Sequence, residues 1–269
     1  MKNVTLAISS CDKYSDLWDP FFTLLKKYWD PDMPIVLITE SRDYSFEGLD
    51  IRTLKLYPAG SRPAWSELQM RSFERINTDY VIFLLDDFFL EGPVDEKQIE
   101  NCIEWMDQDK QITCFNFSCI SHGENLPSGY PGFELRPQKG EYRLNCQAAI
   151  WRRESLLKDM REHENAWVFE TLGSKRSFRY KDQKFYCAAP DNQVFIYDIQ
   201  GGGALNHGKW NQNAVELIGR EQLPVDVSVR GINTEVRGSR QRMIHYIFHD
   251  LSPKRVINGI STRWKSLKP

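Results

Sequence analysis

Residues 80–90, YVIFLLDDFFL, form an apolar run broken by two adjacent carboxylates, Asp86 and Asp87. Unbroken apolarity, without polar alternation, suits a strand covered on both faces, as in a parallel sheet. Carboxylates at the end of such a strand are costly to desolvate unless something neutralises them. The run therefore constrains both the fold and what must lie at the strand's mouth.

The flanking sequence supplies the rest of such a sheet. Residues 4–10 (VTLAISS), 34–40 (PIVLITE) and 49–56 (LDIRTLKL) are β-rich, and helical patterns separate them. Asp19 followed by Pro20 marks a helix start, with Phe21, Leu24, Leu25 and Tyr28 on one face. Ser66 and Gln69 form a capping-box pattern, with Trp65 and Met70 spaced as a hydrophobic staple, on a helix expected to reach Ile76. Asp95 and Gln98 cap a further helix on which Ile99, Cys102, Ile103 and Met106 share a face. Strands are expected at 112–118, 143–151 and 192–199, a helix at 154–163, and a Pro- and Gly-rich functional loop or lid at 121–140. Alternating strands and helices predict an α/β fold with a mainly parallel sheet flanked by helices, and ligands bind beyond the carboxyl ends of such strands.

The 269 residues are enough for one large domain, and no stretch approaches the roughly 18 apolar residues of a membrane-spanning helix. The start, MKNVTLAISSC, reads as a first strand and not as a secretory signal. Six cysteines without a CxxC pair suit reduced, buried thiols in a cytoplasmic protein. The net charge of −2 conceals an asymmetry. Residues 237–269 carry eight Lys or Arg against Asp250 alone, and residues 1–236 carry 27 basic against 36 acidic side chains. This divides the chain into a domain over 1–236 and a basic helical segment over 237–269. Apolar positions from Ile244 to Trp264 recur among the basic ones, a pattern suited to an anionic membrane surface or to packing on the domain. Nucleic acid suits an acidic domain without a recognition motif poorly.

Successive strand residues face opposite ways, so Asp86 and Asp87 should take one role each. A hard cation such as Mg2+ or Mn2+ prefers carboxylate oxygens and commonly shares them with substrate phosphates. The alternatives are a turn cap at Glu91-Gly92-Pro93 or an arginine partner.

A strand ending in Leu85-Asp86-Asp87 resembles the DxD-type motif of GT-A (Rossmann-like) glycosyltransferases. Together with SSCDKYSDLWDPFFTLLKKYW, Trp65-Ser66-Glu67 and ENAWVFE, it is similar to bacterial surface-polysaccharide glycosyltransferases over roughly residues 4–215. The resemblance implies a nucleotide-sugar donor, UDP-linked, and a glycan or polyprenyl-linked acceptor in capsule or O-antigen synthesis, at the inner face of the cell membrane. It also implies Mn2+ or Mg2+ held by Asp87, with Asp86 at the ribose or reaching the metal through water. Asn206-His207-Gly208-Lys209-Trp210 resembles a C-terminal element in which the histidine completes the metal site and the lysine meets the diphosphate, which makes His207 and Lys209 candidates. By the same resemblance the loop from Ser9 to Tyr14 lies beside the nucleotide, with Asp12 accepting from base or ribose and Tyr14 stacking. Arg71 is a further candidate for the diphosphate.

Transfer with inversion needs a carboxylate to take the acceptor proton. In HENAWVFE, residues 163–170, a helix from Asn165 would put Trp167 and Glu170 on one face, the indole against a sugar and the carboxylate at the hydroxyl. Glu170 is preferred to Glu164, and Asp191 is the runner-up. Rival readings are a sugar nucleotidyltransferase, for which SSCDKYSD lacks the Gly-rich loop, a glycoside hydrolase, and a non-catalytic member of a polysaccharide assembly complex.

Overall fold

In the computed structural model of the chain, which describes residues 1–119, 125–233 and 261–267, the apolar run is a strand, β4 (Tyr80–Leu85), buried up to Leu84. It lies beside β1 (Val4–Ser9), followed outward by β2 (Ile35–Thr39) and β3 (Ile51–Lys55), all parallel. On the other side of β4 comes β8 (Ala149–Arg152), antiparallel to β4 and to β5 (Ile112–Asn116). Beyond β5 lie β9 (Lys184–Ala188), parallel to it, and the short strands β7 (Phe133–Leu135) and β6 (Leu126–Pro127). The expected α/β fold with a mainly parallel sheet is what forms, and β8 and β7 are the strands running against the common direction.

Helices cover both faces, as the unbroken apolarity of the central strands requires. Leu6, Ile8, Ile82 and Leu84 pack on α1 (Trp18–Tyr28) and α3 (Glu96–Gln108). The alternate residues Ala7, Val81 and Phe83 pack on α2 (Trp65–Phe73) and α4 (Arg153–Asp159). The chain runs β1–β2–β3 outward in one direction and then returns to place β4 on the other flank of β1. The gap between the carboxyl ends of β1 and β4 is thus a topological switch point, where open α/β sheets bind ligands.

Several local expectations are corrected. A 3-10 segment, Asp12–Leu17, leads directly into α1, so the helix begins at Trp18 and Asp19 lies inside its first turn. Ala64 precedes α2 as its cap; Ser66 is buried, and its N–H goes to the Glu164 carbonyl at 3.1 Å in place of a capping box. The strand expected at 143–151 starts only at Ala149. Residues 192–199 form no strand: Val194 and Ile196 offer carbonyls to the Asp95 and Glu91 N–H groups at 3.0 and 2.8 Å, an irregular edge contact. The strand in this part of the chain is β9. Of the 121–140 loop, residues 126–135 contain the β6–β7 pair. The α3 cap is as expected, with Asp95 accepting from the Gln98 N–H at 3.0 Å.

A two-stranded hairpin, β10 (Leu205–Asn206) and β11 (Lys209–Trp210), precedes α7 (Gln212–Arg220). All six cysteines are free. Residues 234–260 and 268–269, which hold most of the basic segment, lie outside the described residues. Residues 261–267 are helical to 266 and pack on the domain: Ser266 is buried, with its hydroxyl 2.9 Å from His163 Nε2, and the Leu267 carbonyl accepts from Arg179 Nη1 at 2.8 Å. No helix among the described residues is long and apolar enough to cross a membrane.

Candidate active site

At the switch point the two aspartates separate as the pleat dictates. Asp86 is 5% exposed and turns inward. Its N–H donates to the Ser9 carbonyl at 3.1 Å, continuing the β1–β4 ladder one step past Leu85. Ser10 Oγ donates to Asp86 Oδ2 and itself accepts from Trp18 Nε1 at 2.7 Å. Burial, and then the charge of Asp87, push the Asp86 carboxyl well above the usual carboxylate range. Asp87 is half-buried and faces the turn that leads into β10. Its carbonyl accepts from the Ala204 N–H at 2.7 Å, and the neighbouring Leu205 N–H favours its charged form. Burial pushes Asp87 up to about 7.

Neither carboxylate forms an ion pair with a Lys, Arg or His among the described residues. No arginine ion pair therefore holds them, although the charge of Arg230 partly lowers the Asp86 carboxyl, and the Glu91 N–H of the following turn goes to the Ile196 carbonyl and not to either aspartate. Asp87, half-buried and without an ion-pair partner among the described residues, fits a ligand of a hard divalent cation, which would favour the ionised form that burial disfavours, while Asp86 faces inward to Ser10 and feels the charge of Arg230. Among the described residues, no group of three His, Cys, Asp or Glu is gathered for a metal. His207 accordingly does not stand with the aspartates. It is exposed at the tip of the β10–β11 hairpin, where His207 and Gly208 both take positive φ (51° and 78°), as the two central residues of a type I′ turn must. Lys209 is exposed beside it.

The loop after β1 is more heavily bonded than its sequence suggests. Asp12 accepts from Thr39 Oγ1 (3.0 Å), Ser41 N (3.1 Å), Ser41 Oγ (2.5 Å) and Arg42 N (3.1 Å). Burial alone would raise this carboxyl, but the donors at Ser41, Arg42 and Thr39 hold it below its ordinary value. Asp12 thus ties the loop to the end of β2. Ser9 is the last residue of β1, paired with Leu85. Tyr14 is half-buried with the Arg230 guanidinium 4.8 Å from its ring centre. Arg230 also bonds Asp16 and reaches the Gly208 and Lys13 carbonyls at 3.3 Å, joining this loop to the hairpin. Arg71 stays away from the pair, 3.3 Å from Glu67 on the surface of α2 and 5.9 Å from the Tyr57 ring.

Glu170 lies within a continuous helical stretch: α5 (Ala166–Val168), a π-helical turn over Phe169–Gly173, and α6 (Ser174–Ser177). Asn165 caps it, accepting from the Val168 N–H at 2.9 Å. Phe169 packs against Trp65 at 5.7 Å, and Trp65 meets Phe83 of β4 at 6.2 Å, so the stretch is seated on the strand that carries the aspartates. Glu170 Oε1 accepts from the Cys146 N–H at 2.8 Å, and burial raises its pKa. Cys146 precedes β8, whose first residue, Ala149, pairs with Phe83, three positions before Asp86. Glu170 therefore lies toward the same end of the sheet. With Glu141, Tyr142, Thr171, Ser174, Lys175 and Phe178 it lines a pocket of about 140 Å³, which neither aspartate lines.

Trp167 does not join that pocket; it is 76% exposed, because the π-helical turn breaks the spacing that would align it with Glu170. Glu164 is fully buried and paired with Arg176 at 2.8 and 3.1 Å, which removes it from contact with any acceptor. Asp191 is exposed in the turn after β9.

Three contributors to the site were not singled out in the sequence. Ser10, beside the named Ser9, is the donor to Asp86. Tyr197 stacks on Phe88 at 4.6 Å, and its hydroxyl meets Ser118 Oγ (2.9 Å), Ala148 N (3.2 Å) and Gln147 Oε1 (2.8 Å), fixing the chain just after the aspartates. Gly203 lies directly against Asp87. The doubled serine and the triple glycine were visible signals; the tyrosine's role depends on packing alone.

No protein-family model and no curated protein matches the chain. Among solved structures it is similar to residues 1–349 of TarS from S. aureus, at 10% identity over 98% of this chain and 80% of that one, with a TM-score of 0.49. The same TarS fragment in complex with UDP-GlcNAc gives 10% identity, 98% and 81% coverage and a TM-score of 0.47. Mannosyltransferase PcManGT from Pyrobaculum calidifontis, in complex with GDP-Man and Mn2+, gives 10% identity, 77% and 58% coverage and a TM-score of 0.46. Likeness at this level identifies no activity.

Proposed function

We propose that this protein is a metal-dependent glycosyltransferase that moves a hexose from a UDP-sugar to a glycan or polyprenyl-linked acceptor in surface-polysaccharide synthesis. The observation that carries the reading is the pair of desolvated carboxylates at the β1–β4 switch point, neither of them ion-paired among the described residues. Asp87, partly open, would hold Mn2+ or Mg2+, and Asp86 would support it from behind. The cation, when bound, offsets charge on the donor diphosphate.

The chain's own residues would do the rest. Ser9, Asp12 and Tyr14 shape the nucleotide side of the cleft, and Lys209, with His207 beside it, offers a cation at the hairpin tip for the leaving diphosphate. Glu170, oriented by the Cys146 N–H and with its proton affinity raised by burial, suits a general base. As the acceptor oxygen attacks the anomeric carbon, the bond to the diphosphate oxygen breaks. The hydroxyl proton passes to Glu170 and the nucleoside diphosphate departs, with inversion. The basic segment 237–269 would hold the enzyme at an anionic membrane surface on the cytoplasmic side, beside a lipid-linked acceptor.

A donor-hydrolysis screen over nucleotide sugars with Mn2+ or Mg2+ tests the reading. Metal-dependent release of UDP from one UDP-sugar is the expected result. Binding of nucleotide sugars without turnover of any of them would favour a non-catalytic role.

A further inference from the structure

Gly203 is buried and takes φ +98°, a conformation that L side chains rarely adopt. A β-carbon there would sit 2.6 Å from Asp87 Oδ2, 2.8 Å from its Cγ and 3.1 Å from its carbonyl oxygen. The space that a side chain would fill is the space the carboxylate occupies. The turn making this approach is itself locked. The Gly201 N–H donates to Asp198 Oδ1 at 2.8 Å, and the Gly203 N–H donates to the Asp198 carbonyl at 3.0 Å. From the start of α7, Asn211 Nδ2 donates to the Gly201 and Gly203 carbonyls at 3.0 and 2.7 Å, and the Asn211 N–H donates to the Ala204 carbonyl at 2.9 Å. Asn213 holds the other oxygen of Asp198 at 2.8 Å. The same turn then delivers the Ala204 N–H to the Asp87 carbonyl and sets the Leu205 N–H where it favours the charged carboxylate.

We propose that the turn from Asp198 to Ala204, braced by Asn211, is the device that orients the Asp87 carboxylate, with Gly203 as the positioning residue. Resting on the reading of Asp87 as the cation's ligand, this makes the glycine run a part of the donor site that touches no donor. It also predicts which glycine matters. Gly202 takes a similar conformation, φ +77°, but among the described residues nothing lies within 4 Å of its would-be β-carbon.

Gly202→Ala and Gly203→Ala therefore share a left-handed backbone, and only the second meets the carboxylate. The crystal structure of each variant is the primary readout: Asp87 should be rotated away from the Leu205 N–H in Gly203→Ala and unmoved in Gly202→Ala. Calorimetry with Mn2+ and UDP is the second. Gly203→Ala should bind at least tenfold more weakly than Gly202→Ala, and Asn211→Ala, which loosens the turn without touching Asp87, should fall between. An unmoved Asp87 in Gly203→Ala, or equal affinity in the two glycine variants, overturns the inference. Asp87→Ala in the same titration keeps the two claims apart, since undiminished binding there refutes the reading of Asp87 itself. If Gly203→Ala does not fold, an unmoved Asp87 in the Asn211→Ala crystal structure overturns the inference.

Discussion

Behind the Glu170 stretch lies a buried charge cluster whose cost is measurable. Asp159 closes α4 and is fully buried, with no ion pair among the described residues and Gln183 as a nearby side-chain donor. Burial pushes it up to about 7 from an ordinary value of 3.8, against the lowering influence of Arg176 and Lys158. Because the folded state holds the proton more tightly than the unfolded chain, stability falls as pH rises through the window between those two values. Each unit of separation is worth about 1.4 kcal/mol. The ionisable carboxyl therefore costs the fold about 2 kcal/mol at pH 5 and about 4 kcal/mol at pH 8. Asp159→Asn keeps the shape and removes the titration. It should be nearly neutral at pH 4 and stabilising by about 4 kcal/mol at pH 8, read from urea unfolding at several pH values. The other buried carboxyls are common to both proteins and cancel in the difference. A stability difference that does not change with pH would show that the Asp159 carboxyl is not held protonated by the fold.

Glu170→Gln should keep donor affinity within about twofold and lose roughly 10² to 10⁴ in transfer rate, the range for a missing general base; near-normal turnover would remove it from that role. Arg176→Met strands the buried Glu164 carboxylate and should cost about 3–5 kcal/mol in urea unfolding, whereas adding Glu164→Leu should recover most of the loss. A double variant no more stable than the single one would contradict that account of the pair.

The central sheet was legible because β1, β2 and β4 are buried on both faces and so read as unbroken apolar runs. The α3 cap was legible because Asp95 and Gln98 act within one turn. Where distant contacts decide, the sequence misled. Residues 192–199 have the apolar, aromatic composition of a strand, yet Val194, Phe195 and Tyr197 are buried by packing on Trp29, Phe117 and Phe88 without entering the sheet. Ser66 and Gln69 matched a capping box, but the N–H of Ser66 is taken by Glu164, almost a hundred residues later. The site follows the same division. Asp86 and Asp87 declare themselves by their cost at the end of an apolar strand. Ser10 and Gly203 meet the aspartates only because the fold brings them from 76 residues before and over a hundred residues after that strand's end.

If Asp87, with Asp86 behind it, holds a divalent cation, a nucleoside diphosphate should bind here only through that cation. Calorimetric titration of UDP with and without Mn2+, on the wild-type protein and on Asp87→Ala, tests it most directly. Binding should require Mn2+ in the wild type and disappear in the variant, with both proteins folded. Binding of equal strength in EDTA, or in Asp87→Ala, would contradict it.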